Sequence, residues 1–273
     1  MALQASGAIS LDNIRTEFGG DAPHSLSEYY RGGTYVGANN TTVPTSGAID
    51  FADFYSTTAA MVLNITSNAT EQNIKTLAVA AGLTDGSGVP LIVNISAVLT
   101  GSSTHALQTG DLDNSHDITI NINSGGELNG FTGSLGSNSA GGTGGDALFW
   151  NVDSGGSATY IVNLSGGKLR SGGGGGGGGG HYGRHNTLYY DKGSSWCDTP
   201  AIYGSYGADG TAGGYGQAGT AGAAGTLGGG NAMCLVYNPG AGYAGGAAGH
   251  ALRKNGHTVT FNNNSGTLAG TVG

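Results

Sequence analysis

Nine consecutive glycines, Gly172 to Gly180, lie in the middle of the chain. Such a run has no side chain to bury, and glycine loses more backbone freedom on folding than any other residue. Alone it would be a flexible linker. The sequence that follows argues otherwise, because Gly207, Gly210, Gly213, Gly216, Gly219, Gly222, Gly225 and Gly228 recur at every third position without a miss. A linker has no need of a period. Three residues per turn is the repeat of the polyproline-II-type helix, which makes no internal hydrogen bonds and turns its N–H and C=O groups outward. Such helices order only by bonding to one another sideways, and that close approach requires glycine on the facing edges. The spacing therefore predicts a layer of packed polyglycine-II helices, with Gly172, Gly176 and Gly180 on the most central one, about 28 Å long at roughly 3.1 Å per residue. Collagen also repeats Gly-x-y, but it draws its stiffness from imino acids, and residues 207–228 contain no proline. Disordered low-complexity chain is the other alternative, although only 10% of the residues are charged, and charge-driven disorder needs more.

The remainder of the chain divides by pattern. Residues 1–58 contain a duplicated phrase, Ser6-Gly7-Ala8-Ile9-Ser10-Leu11-Asp12-Asn13-Ile14 and Ser46-Gly47-Ala48-Ile49-Asp50-Phe51-Ala52-Asp53-Phe54. Each copy reads as a short strand feeding a short helix. Ser10 is the N-cap of the first, Leu11, Ile14 and Phe18 share one face, and Gly19 ends it. Helices of about two turns do not stand alone, so this module must dock, and Ile9, Leu11, Ile14, Phe18, Ile49, Phe51 and Phe54 are its candidate attachment residues. Between the copies, Ser25-Leu26-Ser27-Glu28 has the spacing of a capping box. Residues 59–110 read as a small α+β spacer: a strand from Met61, a helix capped by Ser67 or Asn68 and carrying Ile74, Leu77 and Ala81, and a strand over Pro90 to Ile95. Residues 111–273 form the glycine-rich domain. Three strand phrases bound it, Ile118 to Gly130, Tyr160 to Arg170 and Thr258 to Gly270, each ending in a Ser-Gly turn and a leucine: Leu128, Leu169 and Leu268. Their unequal intervals argue against a uniform solenoid. After the first phrase, Gly130, Gly133, Gly136, Gly142 and Gly145 again keep the period of three, with Ser139 in the gap. The expected fold class is mostly irregular and β with a small α+β N-terminal part, and a C-terminal packed polyglycine-II helix sandwich bounded by short β-strands.

The segments between glycine tracts hold the aromatics. Tyr182, Tyr189, Tyr190, Trp196, Tyr203 and Tyr206 fall within 181–206, and Tyr237 falls within 231–243. Tyrosine mixed with Asn, Ser and Gly is the composition of binding loops, where Tyr gives contact area at low entropy cost. The bland alternative is that these rings cap the glycine layer. Catalytic chemistry finds little support: no glutamate follows Glu127, and Asp146, Asp153, Asp191, Asp198 and Asp209 are scattered among turn residues. His181, His185 and Cys197 match no metal-ligand spacing, and Gly180-His181-Tyr182 lacks the lysine and helix start of a phosphate loop. No metal and no cofactor are expected. A disulfide between Cys197 and Cys234 is possible on count alone. The net charge of -8, with nine Lys and Arg, leaves no basic patch for nucleic acid. With neither a leader nor a long apolar run, the expectation is a protein made in a cytoplasm, released by another route, and not inserted in a membrane.

The glycine tracts 172–180 and 207–228, together with Ala244-Gly245-Gly246-Ala247-Ala248-Gly249-His250-Ala251 and the closing strand, resemble the receptor-recognition tip proteins of tailed bacteriophages, the adhesins of T-even-type long tail fibres. The stretch from Asn64 through Ala80-Ala81-Gly82 to Ser96 is similar to the small domain that precedes the glycine domain in phage fibre proteins. The opening 6–30 is similar to an N-terminal module of phage tail proteins. The resemblance implies a non-enzymatic adhesin on the virion, at a tail or fibre tip and made in the host cytoplasm. It would bind a bacterial outer-membrane protein or surface glycan through the Tyr and Trp residues named above, and join other tail or fibre proteins in a trimeric setting. A structural tip or assembly protein without receptor contact is the alternative, and a polysaccharide depolymerase a more distant one.

Overall fold

The computed structural model describes residues 3–36, 40–86, 88–155, 157–191, 194–227 and 235–273. The side chains of 185, 187–191, 194–202 and 235–237 lie outside that description. From residue 61 the described chain winds as a coil of parallel turns with three faces. One five-stranded sheet takes 61–65, 91–95, 118–123, 160–165 and 259–263 in order. A second takes 69–70, 98–100, 127–129, 168–170 and 267–269, and a third takes 72–73, 107–108, 148–149, 250–253 and 271–272. Each turn of chain thus contributes one strand to every face, and neighbouring turns pair in parallel.

The interior follows from the two-residue period of a strand. On the first face, Leu63, Val93, Ile120 and Val162 point inward at one level, and Ile65, Ile95, Ile122 and Leu164 at the next. Leu99, Leu128 and Leu169 fill the second face, and Leu107, Leu148 and Leu252 the third. These residues belong to one core that runs from Leu63 to Val259, with Trp150 fully buried within it. At the last turn the innermost column ends on Asn263, whose Oδ1 accepts the Gly266 N–H at 3.0 Å.

On the outer side of the first face stands a column of asparagines, Asn64, Asn94, Asn121, Asn163 and Asn262, all in register. Each side-chain amide after that of Asn64 donates to the Oδ1 of the preceding turn at 2.9 to 3.0 Å. Identical residues at identical registers satisfy each other, as in stacked Asn ladders generally.

This architecture overturns the expected fold class. The protein is mostly parallel β-sheet in a β-helix-like arrangement rather than a packed polyglycine-II helix sandwich with a small α+β part. The three strand phrases do not bound a helix layer; they are the third, fourth and fifth turns of the coil. Their unequal spacing reflects chain inserted at one corner, between the second and third faces. That corner is Glu71 alone in the first turn, 101–106 in the second, 130–147 in the third, 171–249 in the fourth, and Gly270 alone in the fifth. The helix of the 59–110 region also starts later than its sequence suggested. Residues 69–70 and 72–73 are strands of the first turn, so the helix is Ile74–Ala80 and its cap is Asn73.

Residues 3–59 form a separate hydrophobic cluster. Helix Leu11–Phe18 carries a capping box of Ser10 and Asn13, and the second copy of the phrase is a short 3-10 helix, Phe51–Phe54, with an equivalent box of Asp50 and Asp53. Leu26–Glu28 is a 3-10 turn whose cap Ser25 accepts from Ser27, so the expected box to Glu28 is not formed. Ile14, Phe18 and Phe54 are buried around Tyr29, with Ile9, Leu11 and Ile49 packed against them, whereas Phe51 is 40% exposed.

The narrow corner is held by a carboxylate. Glu71, at φ 51, accepts from the N–H groups of Ser102, Ser103 and Thr104 at 3.1, 2.5 and 2.9 Å and from the Ser103 hydroxyl at 3.0 Å. These donors, backbone first, pull its pKa from 4.5 to about 2. Because the folded value lies below the ordinary one, the ionised group favours the fold above about pH 4.5, and that contribution fades as pH falls toward 2. Glu71→Gln, which keeps an acceptor and removes the charge, is expected to be less stable than the parent at pH 7. The gap between their denaturant midpoints should close between pH 4.5 and 2. For the amide ladder, Asn121→Ala severs two bonds and Asn262→Ala severs one. At about 0.5–1.5 kcal/mol per bond, urea titration should find the Asn121 variant the more destabilised of the two.

Candidate functional site

The fourth turn of the coil leaves Arg170 and enters the glycine run. Residues 172–180 are buried throughout, without a side chain of their own, because other backbone surrounds them. The Gly172, Gly175 and Gly178 N–H groups donate to the carbonyls of Gly145, Gly142 and Ser139. Gly174, Gly177 and Gly180 donate to Gln217, Thr220 and Ala223. On a third side Gly207, Gly210 and Gly213 donate to Gly180, Gly177 and Gly174, and on a fourth Tyr243, Gly246 and Gly249 donate to Gly178, Gly175 and Gly172. Gly219, Gly222 and Gly225 close the outer layer onto Gly246, Tyr243 and Gly240. Gly216, at φ 73, makes the turn between two outer tracts. Gly228 lies outside the described residues.

Two contacts fasten this block to the coil. Arg170 bonds Glu127 Oε2 at 2.5 Å and stacks its guanidinium 4.5 Å over the Tyr215 ring, which joins the outer turn to the second face. At the third face, buried Asp146 accepts the His250 N–H at 2.7 Å and faces Arg253 at 3.4 Å and His105 at 3.5 Å. His105 stacks on Phe149 at 4.3 Å, and its burial, more than the opposing pull of Asp146, pushes its pKa down.

The bonding order fixes which end of the block is which. Gly172 and Gly249 lie beside the coil; Gly180, Gly207 and Gly240 lie at the opposite end. At that far end are the aromatics. Tyr182 is half-buried and makes edge contacts with Tyr203 at 5.4 Å and Tyr206 at 4.8 Å. Arg184 lies 5.5 Å over the Tyr203 ring, and Tyr203 and Tyr206 are 54% and 61% exposed. The backbone beyond is an antiparallel sheet of Arg184–Asp191, Ser194–Tyr203 and Leu235–Tyr237, with Tyr189 opposite Trp196, Tyr190 opposite Ser195 and Tyr237 beside Arg184. The side chains of Tyr189, Tyr190, Trp196 and Tyr237 lie outside the described residues, as do that of Cys197 and all of Cys234. The sequence reading missed Arg184, Asn138 and Asp209, which line the same end. Among the described residues no group of three His, Cys, Asp or Glu is placed to hold a metal, and no helix is long and apolar enough to cross a membrane.

The glycine requirement is positional. A Cβ on Gly176 would lie 2.2 Å from the Gly210 carbonyl oxygen, whereas one on Gly214 meets nothing within 4 Å. Gly176→Ala, and more so Gly176→Val, should therefore abolish cooperative melting of the glycine block. Gly214→Ala should leave the calorimetric transition unchanged.

Comparison with known proteins is consistent with this architecture. A family model described as phage tail fibre adhesin Gp38 matches residues 60–273. No curated protein sequence matches. Among solved structures, the gp37-gp38 adhesin tip complex of the bacteriophage S16 long tail fiber matches with a TM-score of 0.53 at 20% identity, over 98% of this chain and 99% of that one, a likeness of fold. The coil, the glycine block and the match over residues 60–273 place the chain in the Gp38 family of phage tail fibre adhesins.

Proposed function

We propose that this chain is the receptor-binding adhesin at a phage tail-fibre tip, and that it contacts the bacterial surface through the aromatic end of the glycine block. The observation that carries the reading is the pairing of exposed rings with a bonded scaffold. Tyr203 and Tyr206 are more than half exposed, yet the tracts that present them are tied by backbone hydrogen bonds along their length. Large aromatic rings on a pre-ordered support lose little further freedom on binding. Tyr182 has a supporting part, its ring filling the space beneath both. Tyr189, Tyr190, Trp196 and Tyr237, in the strands of the antiparallel sheet, are further candidate contact residues on the strength of the sequence. The receptor is an outer-membrane protein or a surface glycan, and recognition needs no bond-making step.

The N-terminal cluster, residues 1–58, is the attachment module. Ile14, Phe18 and Phe54 hold its interior, and exposed Phe51 is the apolar ring it offers to a neighbour. The S16 structure is a gp37-gp38 adhesin tip complex, which supports a second fibre protein as the partner here; the trimeric setting is part of the proposal alone. The working location is the virion fibre tip.

A Tyr203→Ser, Tyr206→Ser double variant separates recognition from assembly. With each anchor contributing at least about 1 kcal/mol, phage carrying it should adsorb to host cells more than about tenfold more slowly, with normal particle yield. Unchanged adsorption by normal particles overturns the receptor-contact reading.

A further inference from the structure

Beside the exposed ring of Tyr206, three stretches of backbone meet in a notch of about 470 Å³ lined by Asn138, Tyr206 and Asp209, with Gly179 as its floor. Asn138 stands in the turn that joins two glycine tracts, in the left-handed region at φ 53, which Asn adopts more readily than most residues that carry a side chain. Its neighbour Ser139 fixes the turn by accepting the Gly178 N–H at 2.9 Å. Asp209 uses Oδ1 to accept the Gly179 N–H at 2.7 Å. Its Oδ2, and the whole Asn138 amide, make no hydrogen bond among the described residues. The Tyr206 ring is braced edge-on by Tyr182.

We propose that this notch is a subsite for a pyranose ring of a bacterial surface glycan; the proposal rests on the receptor-contact reading and narrows its ligand. The negative face of an aromatic ring attracts the partly positive C–H face of a sugar, as it does other positive edges. An amide both donates and accepts, and a carboxylate oxygen accepts. Together they match a pair of adjacent hydroxyls, one receiving from Asn138 and one giving to Asp209. A few convergent polar groups beside an apolar plane are what orient a small ligand. A basic side chain of a protein receptor would also suit Asp209, the ring and the Asn138 oxygen, but it would leave the Asn138 amide N–H groups without an acceptor. The sugar uses all three groups.

The test uses the full chain, titrated by saturation-transfer NMR against glucose, galactose, mannose, N-acetylglucosamine and heptose, and against deacylated lipopolysaccharide from a susceptible host. Two variants preserve the backbone: Asn138→Gly, since glycine accepts the positive φ, and Asp209→Asn, which keeps an acceptor for Gly179. The expected result is saturable binding of at least one of these sugars, weakened about tenfold or more in both variants, with melting temperatures unchanged. Absence of saturable binding by any of them overturns the glycan proposal. If the same variants still slow adsorption, the notch serves a protein receptor and the receptor reading stands; if they adsorb normally, the contact surface is elsewhere on the aromatic end.

Discussion

From residue 61 onward this molecule depends on backbone hydrogen bonds made sideways, between segments that run alongside one another and bond little to themselves. In the coil, each strand gives its N–H and C=O groups to the turns on either side, so that only the first and last turns keep an open edge. In the glycine block the same lateral bonding continues with a spacing of three residues and without regular strands. The change from one regime to the other is continuous at a single place. The carbonyl of Arg170 accepts from Gly130, Ser171 donates to Ala269, and Gly172 donates to Gly145. What differs is the room between neighbours. The three faces of the coil stand far enough apart to carry leucine and isoleucine between them, whereas the block closes to distances at which a Cβ on Gly175 would lie 1.8 Å from the Ser134 oxygen.

The corner between the second and third faces is where this economy becomes useful. Chain inserted there leaves the registers of the first and second faces unbroken, with one shift on the third between His250 and Leu252, because the turns above and below still meet their neighbours; lengthening a surface loop costs little once its ends are fixed. The ends are fixed firmly. Glu71 gathers the small insertion of the second turn, and Asp146, on the third turn, gathers His105 of the second and His250 and Arg253 of the fourth at the base of the large ones. A buried carboxylate must be met by donors and positive charge or it destabilises the fold. Asp146 therefore constrains the returning chain at 250–253 as tightly as it rewards it.

The sequence disclosed parts of this arrangement unevenly. The period of three among the glycines was readable because nothing else repeats so regularly, and the bonds do recur at that interval. Extending that regularity to the fold class was the error: glycines are conspicuous, and coil turns are not. The third, fourth and fifth turns share a Ser-Gly turn and a leucine and so look like copies. The first turn keeps the asparagine, Asn64, and the second keeps Asn94 and the leucine Leu99 without the Ser-Gly turn; the meaning of the asparagine appears once the five amides are seen stacked. A ladder is a relation between turns, and the long insertion 171–249 hides that relation from any fixed-period reading. Asn73 is hidden as a cap for a related reason, since it ends the second of two strands of two residues each, which leave no alternation to count. Asn138 and Asp209 were indistinguishable from ordinary turn residues.

The block also allows scaffold and, under the proposed function, recognition to share one stretch of chain. Along 207–225 the glycines are the less exposed positions, and the two residues between each pair face solvent. Glycine is demanded at every third place by the neighbouring backbone, and nothing is demanded of the rest. Asp209 and the threonines Thr211 and Thr220, which bond across two outer tracts, show how differently those free positions are used. Under the proposed function, a surface built this way can change its side chains one at a time without disturbing the bonds that hold it. The same bonds keep the tyrosines at the far end in place before any receptor arrives. Variation and rigidity ordinarily compete, since loops that tolerate substitution are usually mobile. Here they are assigned to different positions of one three-residue repeat.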